Sequence, residues 1–565
     1  MRDVFAGFAE LRKRITEAPE RVRIAGVVGN RSGLMWGVSI KGALAVLKTL
    51  AGGPQNPSQI YRIHAANSPD KVALRFRGRA TTFGELDARM DRVAAALLAR
   101  GLGRRSSIVL MMKNRPEFLE LQSAASRIGG AAVSVSWRST ADELAYLTRH
   151  SGSQMICFED ELWPAVEGAA KKLGIPGAML VSINGTVKET ASYADLLTAE
   201  PVTLPPIDPE KDGAVVIYTS GTTGKPKGAV RKFPRDALPA ALRFIAETPM
   251  RVDDVHLVTC PLYHSTAFGF VALSHILGAE VVIMDEFKPE HFLRDVATYK
   301  VTTTAMVPTM IHRVLQLGEA ELKKHDTSSL RCIFSGGAPL PGPLATAAMD
   351  QLGDVVFNFY GATETGLVTL AKPADLRACP STIGRPIPGN DIRLLDDAGR
   401  EVEKGKVGEL FVKNNLLVAG YHKDEGATND SMKDGYFSVG DLARVDRDGR
   451  YFIEGRKRDM IISGGVNVYP AEVEGVLEEH PGVAEVAVVG VTDQEWGERV
   501  EAVVVRNKTT HTDMDDKTFE GELKTWARSR LSGPKVPRTY VFLERLPRNP
   551  TGKVLKRELR QRTAS

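Results

Sequence analysis

The chain has 565 residues, 43% hydrophobic and 25% charged, a composition that excludes a disordered or fibrous protein and a length that exceeds one core. A formal charge of +5 suits acidic ligands or an anionic lipid surface but is too small to indicate nucleic acid, for which no signature is present. Cys157, Cys260, Cys332 and Cys379 are widely separated and form no C-x-x-C pair, which argues against a disulfide framework or a zinc site and points to a cytoplasmic protein.

Met1-Arg2-Asp3 leads into mixed charges, so no signal peptide is expected, and residues 1–55 read as a basic helical extension. Within it, Ser32 to Leu50 is interrupted by Lys41 and Lys48 and is too polar to span a bilayer. A helix here lines up Trp36, Ile40, Leu44 and Leu47. That stripe suits either shallow peripheral membrane contact with snorkelling lysines or packing onto the main body.

Val72 to Phe76 reads as a strand, and Thr82-x-x-Glu85 is a capping box that opens a helix with Leu86, Met90, Val93 and Leu97 at helical spacing, stopped at Gly101. Buried strands are expected at 107–111, 281–284, 332–334 and 355–357, and the alternation with helices predicts α/β layers with parallel sheets. From about Ile392, Asp-Gly turns punctuate short strands, which predicts a β-rich subdomain. After Asp459 the pattern becomes α+β: a helix from Pro470 to Glu479, strands 485–489 and 501–505, and a final helix from about Lys517 to Arg528. The expected domains are 1–55, a large α/β domain 56–457, and a small mobile α+β domain 458–565.

The most informative stretch is Tyr218-Thr219-Ser220-Gly221-Thr222-Thr223-Gly224-Lys225-Pro226-Lys227-Gly228, directly after the apolar run 214–217. Glycines let backbone N–H groups close on phosphate oxygens, hydroxyls add donors or metal ligands, and lysines supply countercharge. Pro226 and the absence of a following Gly-Lys-Ser/Thr exclude a Walker loop.

Together with Pro261-Leu262-Tyr263-His264, Ser335-Gly336-Gly337-Ala338, Tyr360-Gly361-Ala362-Thr363-Glu364, Gly440-Asp441, Gly455-Arg456-Lys457-Arg458-Asp459, Ser463-Gly464-Gly465 and Asn549-Pro550-Thr551-Gly552-Lys553, this loop makes the chain resemble the adenylate-forming superfamily of acyl-CoA synthetases, nonribosomal adenylation domains and luciferases. The resemblance runs from about Asn56 to Arg560. It implies attack of a carboxylate on the α-phosphate of ATP, giving acyl-adenylate and pyrophosphate, then displacement of AMP by the thiol of CoA.

By that resemblance Lys553 bridges the carboxylate and α-phosphate oxygens, and Glu364, helped by Thr219, holds Mg2+. Thr219, Ser220, Gly221, Thr222, Thr223, Gly224 and Lys227 cradle the phosphates, and Asp441 and Arg456 hold the ribose or a phosphate. Gly336, Gly337, Ala338 and Tyr360 flank the adenine, and Asn358, Phe359, Gly361 and Thr363 complete the nucleotide set. Gly464 and Gly465 serve the pantetheine tunnel. Arg458 stands at a hinge position that carries Lys or Asp in most members. A second departure is Ala229-Val230-Arg231-Lys232-Phe233, which replaces a run ending in a Ser/Thr-His pair.

His264 falls between nucleotide and acyl pocket, and Phe268 matches an aromatic gate of long-chain acyl-CoA synthetases. Ser265-Thr266-Ala267 lacks the Asp that amino-acid-activating relatives use. Apolar Ala267, Phe268, Val307, Phe334 and Phe359 then favour a medium- or long-chain fatty acid, with an aromatic acid as alternative. A non-catalytic nucleotide binder and a membrane-associated fatty-acid uptake protein are the readings from other classes. The sequence leaves oligomeric state open, a homodimer included.

Overall fold

The computed structural model describes residues 26, 28–34, 37–51, 58–205, 214–219, 227–231, 237–418, 420, 424–507, 514–548 and 554–563. Among them, two sheets form the large α/β body. The first has nine strands, with Gly366–Ala371, Val356–Ala362, Cys332–Ser335, Thr303–Met306, Val255–Val258, Glu280–Ile283 and Val72–Phe76 as consecutive neighbours. Its interior pairs are parallel and its margins antiparallel. The second has seven strands, centred on the fully buried Ser107–Met111 and parallel except where Ala214–Thr219 turns back antiparallel as Lys227–Arg231. Such apolar strands are buried on both faces because helices cover parallel sheets from either side.

The local signals form as the sequence dictates. Thr82 Oγ1 accepts from the Glu85 N–H at 3.2 Å while Glu85 Oε2 accepts from the Thr82 N–H at 2.9 Å, so both halves of the capping box start helix Phe83–Ala99. Leu86, Met90, Val93 and Leu97 are fully buried along its inner face. The Asp-Gly region becomes a six-stranded, largely antiparallel sheet that includes Asp391–Leu395, Gly408–Lys413, Asp441–Val445 and Tyr451–Arg456.

The C-terminal domain is a five-stranded sheet built on the long hairpin Val483–Asp493 and Gly497–Arg506, covered by helices Pro470–Glu478 and Asp516–Arg528. Helix Asp516–Arg528 is not the last one: Lys556–Thr563 follows it. Its sequence KRELRQRT carries a single large apolar residue, Leu559, buried against the hairpin, so no periodic stripe marked it.

A buried histidine ties three elements together. His275 Nε2 lies 3.2 Å from the Ala73 carbonyl, which only accepts, so Nε2 donates there and Nδ1 accepts from the Tyr61 hydroxyl at 3.1 Å. Burial pushes His275 down to about 3, and His256, packed at 2.9 Å on Thr303 Oγ1, likewise to about 3. Both pKa values lie below the unfolded value, so the unfolded chain binds more protons as pH falls below about 6.5. Stability is then full above that pH and declines by up to about 1.4 kcal/mol per pH unit for each histidine. Calorimetry is expected to show a melting temperature that holds above neutrality and drops steadily toward about pH 5. An equal value at about pH 5 and 7.5 would contradict the two buried neutral rings.

Candidate active site

Three adjacent parallel strands of the nine-stranded sheet end side by side, and their C-terminal ends carry the motifs. Ser335 pairs with Asn358 and Met306 pairs with Ser335, which brings Gly336-Gly337-Ala338, Tyr360 to Glu364 and Val307 to one edge, where open α/β sheets place ligands. Strand Val255–Val258 ends at the same edge and leads to His264, the residue that opens helix Ser265–Ile276. Gly336 is fixed by close approach: a Cβ there would run into the Phe359 ring. Gly337, Ala338, Tyr360 to Glu364 and His264 open onto a cleft of about 2560 Å³, which Gly336 and Val307 do not line. One small-molecule pocket takes roughly 300–1,000 Å³, so the cleft has room for more than one reactant.

Asp441 is held in the cleft from two sides. The Tyr360 hydroxyl donates to its Oδ2 at 2.8 Å, and Arg456 Nε lies 3.2 Å from its Oδ1. Burial, then the neighbouring carboxylate, raises Tyr360 well above the usual phenol range, so the hydroxyl stays a donor. Asp441 pairs across the sheet with Arg456, and the turn Lys457–Asp459 follows at once. There Lys457 Nζ reaches Asp397 at 2.8 Å and Glu409 at 3.1 Å, and Asp459 accepts from Arg560 Nη2 at 2.7 Å. Arg458 is exposed at the cleft wall, and partial desolvation, then Arg456 beside it, lowers its pKa.

Glu364 is buried at 6% exposure and faces the cleft, its backbone carbonyl accepting from the Val418 N–H at 2.8 Å. Thr363 Oγ1 lies 3.2 Å from Ser265 Oγ. Among the described residues no group of three or more acids, histidines or cysteines could hold a metal alone. Mg2+ is ordinarily held by one or two carboxylates together with substrate phosphates, so a hard oxygen donor such as Glu364 fits that ion.

His264 lines the cleft, and burial lowers it to about 4, so the ring is neutral at physiological pH. Phe268 lies one turn along the same helix and also faces the cleft, as does Phe359. Val307 packs against Gly337, its Cγ1 3.5 Å from where a Cβ would stand. Ala267 is buried, and Phe334 stands back from the cleft, stacked on Phe270 at 4.7 Å within an aromatic cluster. Gly464 and Gly465 are not brought to the cleft: they form an exposed turn between strands Ile461–Ser463 and Val466–Val468, against Trp496. Lys553 and the loop residues Ser220, Gly221, Thr222, Thr223 and Gly224 lie outside the described residues, as do the side chains of Thr219 and Lys227.

The C-terminal domain contributes cleft residues that no motif singled out. Glu478, pushed up to about 8 by burial and then by Glu474, lines it together with Glu474, and Lys556 Nζ donates to Glu474 Oε1 at 2.6 Å. His312 on the large domain faces the pair Arg548–Glu485, joined at 3.0 Å. In the sequence these are ordinary helical or loop charges, and only the docking of the two domains gathers them.

If Glu364 holds the metal, Glu364→Gln keeps its shape and removes its charge. The Mg2+ concentration for half-maximal pyrophosphate release is then expected to rise at least about tenfold. A magnesium titration that coincides with wild type would remove Glu364 from that role.

The model of the AMP-binding enzyme family matches residues 61–422, and that of the AMP-binding enzyme C-terminal domain matches residues 472–553. A feruloyl-CoA synthase of an Amycolatopsis species is 35% identical over 88% of this chain and 97% of its own. The long-chain-fatty-acid–CoA ligase FadD13 of Mycobacterium tuberculosis is 31% identical over 85% of this chain and 92% of its own. The structure of ATP-bound MatB from Rhodopseudomonas palustris superposes with a TM-score of 0.80 at 29% identity, covering 90% of this chain and 99% of that one. The chain therefore belongs to the AMP-binding enzyme family, as an adenylate-forming acid–CoA ligase that works with ATP, Mg2+ and CoA.

Proposed function

We propose that the acid is a medium- or long-chain fatty acid, activated as acyl-AMP and transferred to CoA. The observation that carries this reading is the wall of the cleft beyond His264. Phe268, Ala272 and Ile276 follow at four-residue intervals on one face of helix Ser265–Ile276 and all line the cleft, which makes an apolar tract about 12 Å long. A methylene chain is held by such a surface without the orienting polar groups a functionalised acid needs. The name of FadD13 agrees with a fatty acid. That of the feruloyl-CoA synthase supports the alternative, an aromatic acid stacked on Phe268.

In the first half-reaction two anions must meet, so the residues around them have to offset charge without reorganising. Lys553 is assigned the bridge between carboxylate and α-phosphate. Its chain neighbour Val554 lines the cleft, as do Leu555 and Lys556, which suits an orientation for adenylation. Asp441 accepts from the ribose hydroxyls, Arg456 partners it, and neutral His264 separates nucleotide from acid without adding a charge to the acyl side. Glu364 would hold Mg2+, which when bound withdraws charge from the phosphates. For the second half-reaction, Gly464 and Gly465 must replace this face of the C-terminal domain at the cleft. Arg458 is the assigned pivot, and the domain limits are those expected from sequence, 56–457 and 458–565.

A screen of purified enzyme against carboxylic acids, reading CoA-dependent AMP formation, tests the substrate. Medium- or long-chain fatty acids are expected to give the highest kcat/KM, and a clear preference for cinnamic-type acids would replace the reading. Lys553→Met is expected to slow acyl-AMP formation by about a hundred- to thousand-fold, while preformed acyl-AMP and CoA still give thioester at close to the wild-type rate. Equal loss in both steps would contradict the assignment.

A further inference from the structure

Helix Ile40–Ala51 is fastened to the body by one side only. Asn67, at the end of helix Gln59–Asn67, accepts from the Ser39 N–H at 2.8 Å and donates to the Gly37 carbonyl at 3.1 Å. Gly42 lies against the same Asn67, where any Cβ would collide with the amide, and Ala43 and Val46 are half-buried beside it. The side facing away carries Ile40, Leu44 and Leu47 at i, i+4 and i+7, exposed by 82%, 60% and 60%, and Val38 extends the patch at 52%. Exposed Lys41 and Lys48 flank it. The stripe expected from sequence is therefore real over Ile40, Leu44 and Leu47, but the body does not cover it; Trp36 lies outside the described residues.

Two further observations say what fits this face. Residues 1–55 hold nine Lys or Arg against four Asp or Glu, a surplus of five that equals the formal charge of the whole chain. The helix also borders the cleft: Ala43 and Val46 on its inner side, and Leu47 at the margin of the exposed stripe, line it together with Ile276, Ala272, Phe268 and His264. A second copy is a poor occupant, because a helix with no acidic residue would set its lysines against their own duplicates. An apolar stripe with flanking lysines in a basic segment matches the interfacial helix of an anionic bilayer.

We propose that this face docks on an anionic lipid surface, so that the acyl substrate enters the tract from the bilayer beneath the helix. The docking stands on the exposed face and its charge; the entry route rests on the fatty-acid reading above. No helix among the described residues is long and apolar enough to cross a membrane, so the contact is peripheral.

The test is co-sedimentation of the full chain with phosphatidylcholine vesicles, with and without about 30% phosphatidylglycerol, at about 0.1 M salt. Wild type is expected to partition onto the anionic vesicles and weakly onto the neutral ones. Ile40→Asp/Leu44→Asp and Lys41→Glu/Lys48→Glu are each expected to lower anionic partition about tenfold or more. Pyrophosphate release with a water-soluble short acid in Ile40→Asp/Leu44→Asp should stay within about twofold of wild type, which separates lost docking from lost fold. Equal partition of wild type and Ile40→Asp/Leu44→Asp, or no partition onto either vesicle, overturns the proposal. So does a dimer in sedimentation velocity that the same variant dissolves. If the acid screen returns an aromatic substrate, the entry route falls while vesicle partition still decides the docking.

Discussion

The carboxylate of Asp441 is the constraint on which the geometry of the cleft depends. One oxygen receives the Tyr360 hydroxyl from the end of the nine-stranded sheet, and the other faces Arg456 across the antiparallel sheet. A neutral donor and a cation offset part of the cost of burying this acid and leave lone pairs for a further donor. The same contact sets the nine-stranded sheet against the six-stranded antiparallel sheet at the point where the chain departs, through Lys457–Asp459, into the C-terminal domain. The Asp441–Arg456 pair thus lies directly before the passage into the C-terminal domain.

Electrostatics divides the cleft into unlike halves. At one end Glu364, Asp441 and Arg456 line the cleft with polar side chains. On the acyl side His264 is kept neutral by burial, and the wall continues as Phe268, Ala272 and Ile276. The charged groups therefore gather at one side of the cleft, while the helix wall beyond His264 presents apolar side chains. The third side is supplied by the C-terminal domain, whose Glu474, Glu478, Glu485 and Arg548 line the cleft in this orientation while Gly464 and Gly465 point away.

Much of the fold was legible because local and global signals agree. The Thr82–Glu85 box, the stripe Leu86, Met90, Val93 and Leu97, and the all-apolar strand at 107–111 each dictate one answer, and tertiary packing uses it. The gathering of the motifs at one sheet edge was legible for another reason: their residues sit at the ends of neighbouring strands, so motif order along the chain becomes proximity in space. Phe334 was not assignable in the same way, since an aromatic on a buried strand gives the same pattern whether it lines a pocket or, as here, stacks on Phe270. Glu478, His312 and Arg548 had no local signal because their position is a property of domain docking. Helix Ile40–Ala51 shows the converse limit: its stripe was plain in the sequence, but which side met the body was decided by Gly42 against Asn67.

The central claim is that Asp441 is held in place to receive the nucleotide. The most direct measurement is the steady-state dependence of Asp441→Asn on ATP and on acid, taken separately. Loss of one charged acceptor predicts a KM for ATP raised about tenfold or more, with the KM for acid within about twofold of wild type. Wild-type ATP dependence in a folded Asp441→Asn enzyme would contradict the account.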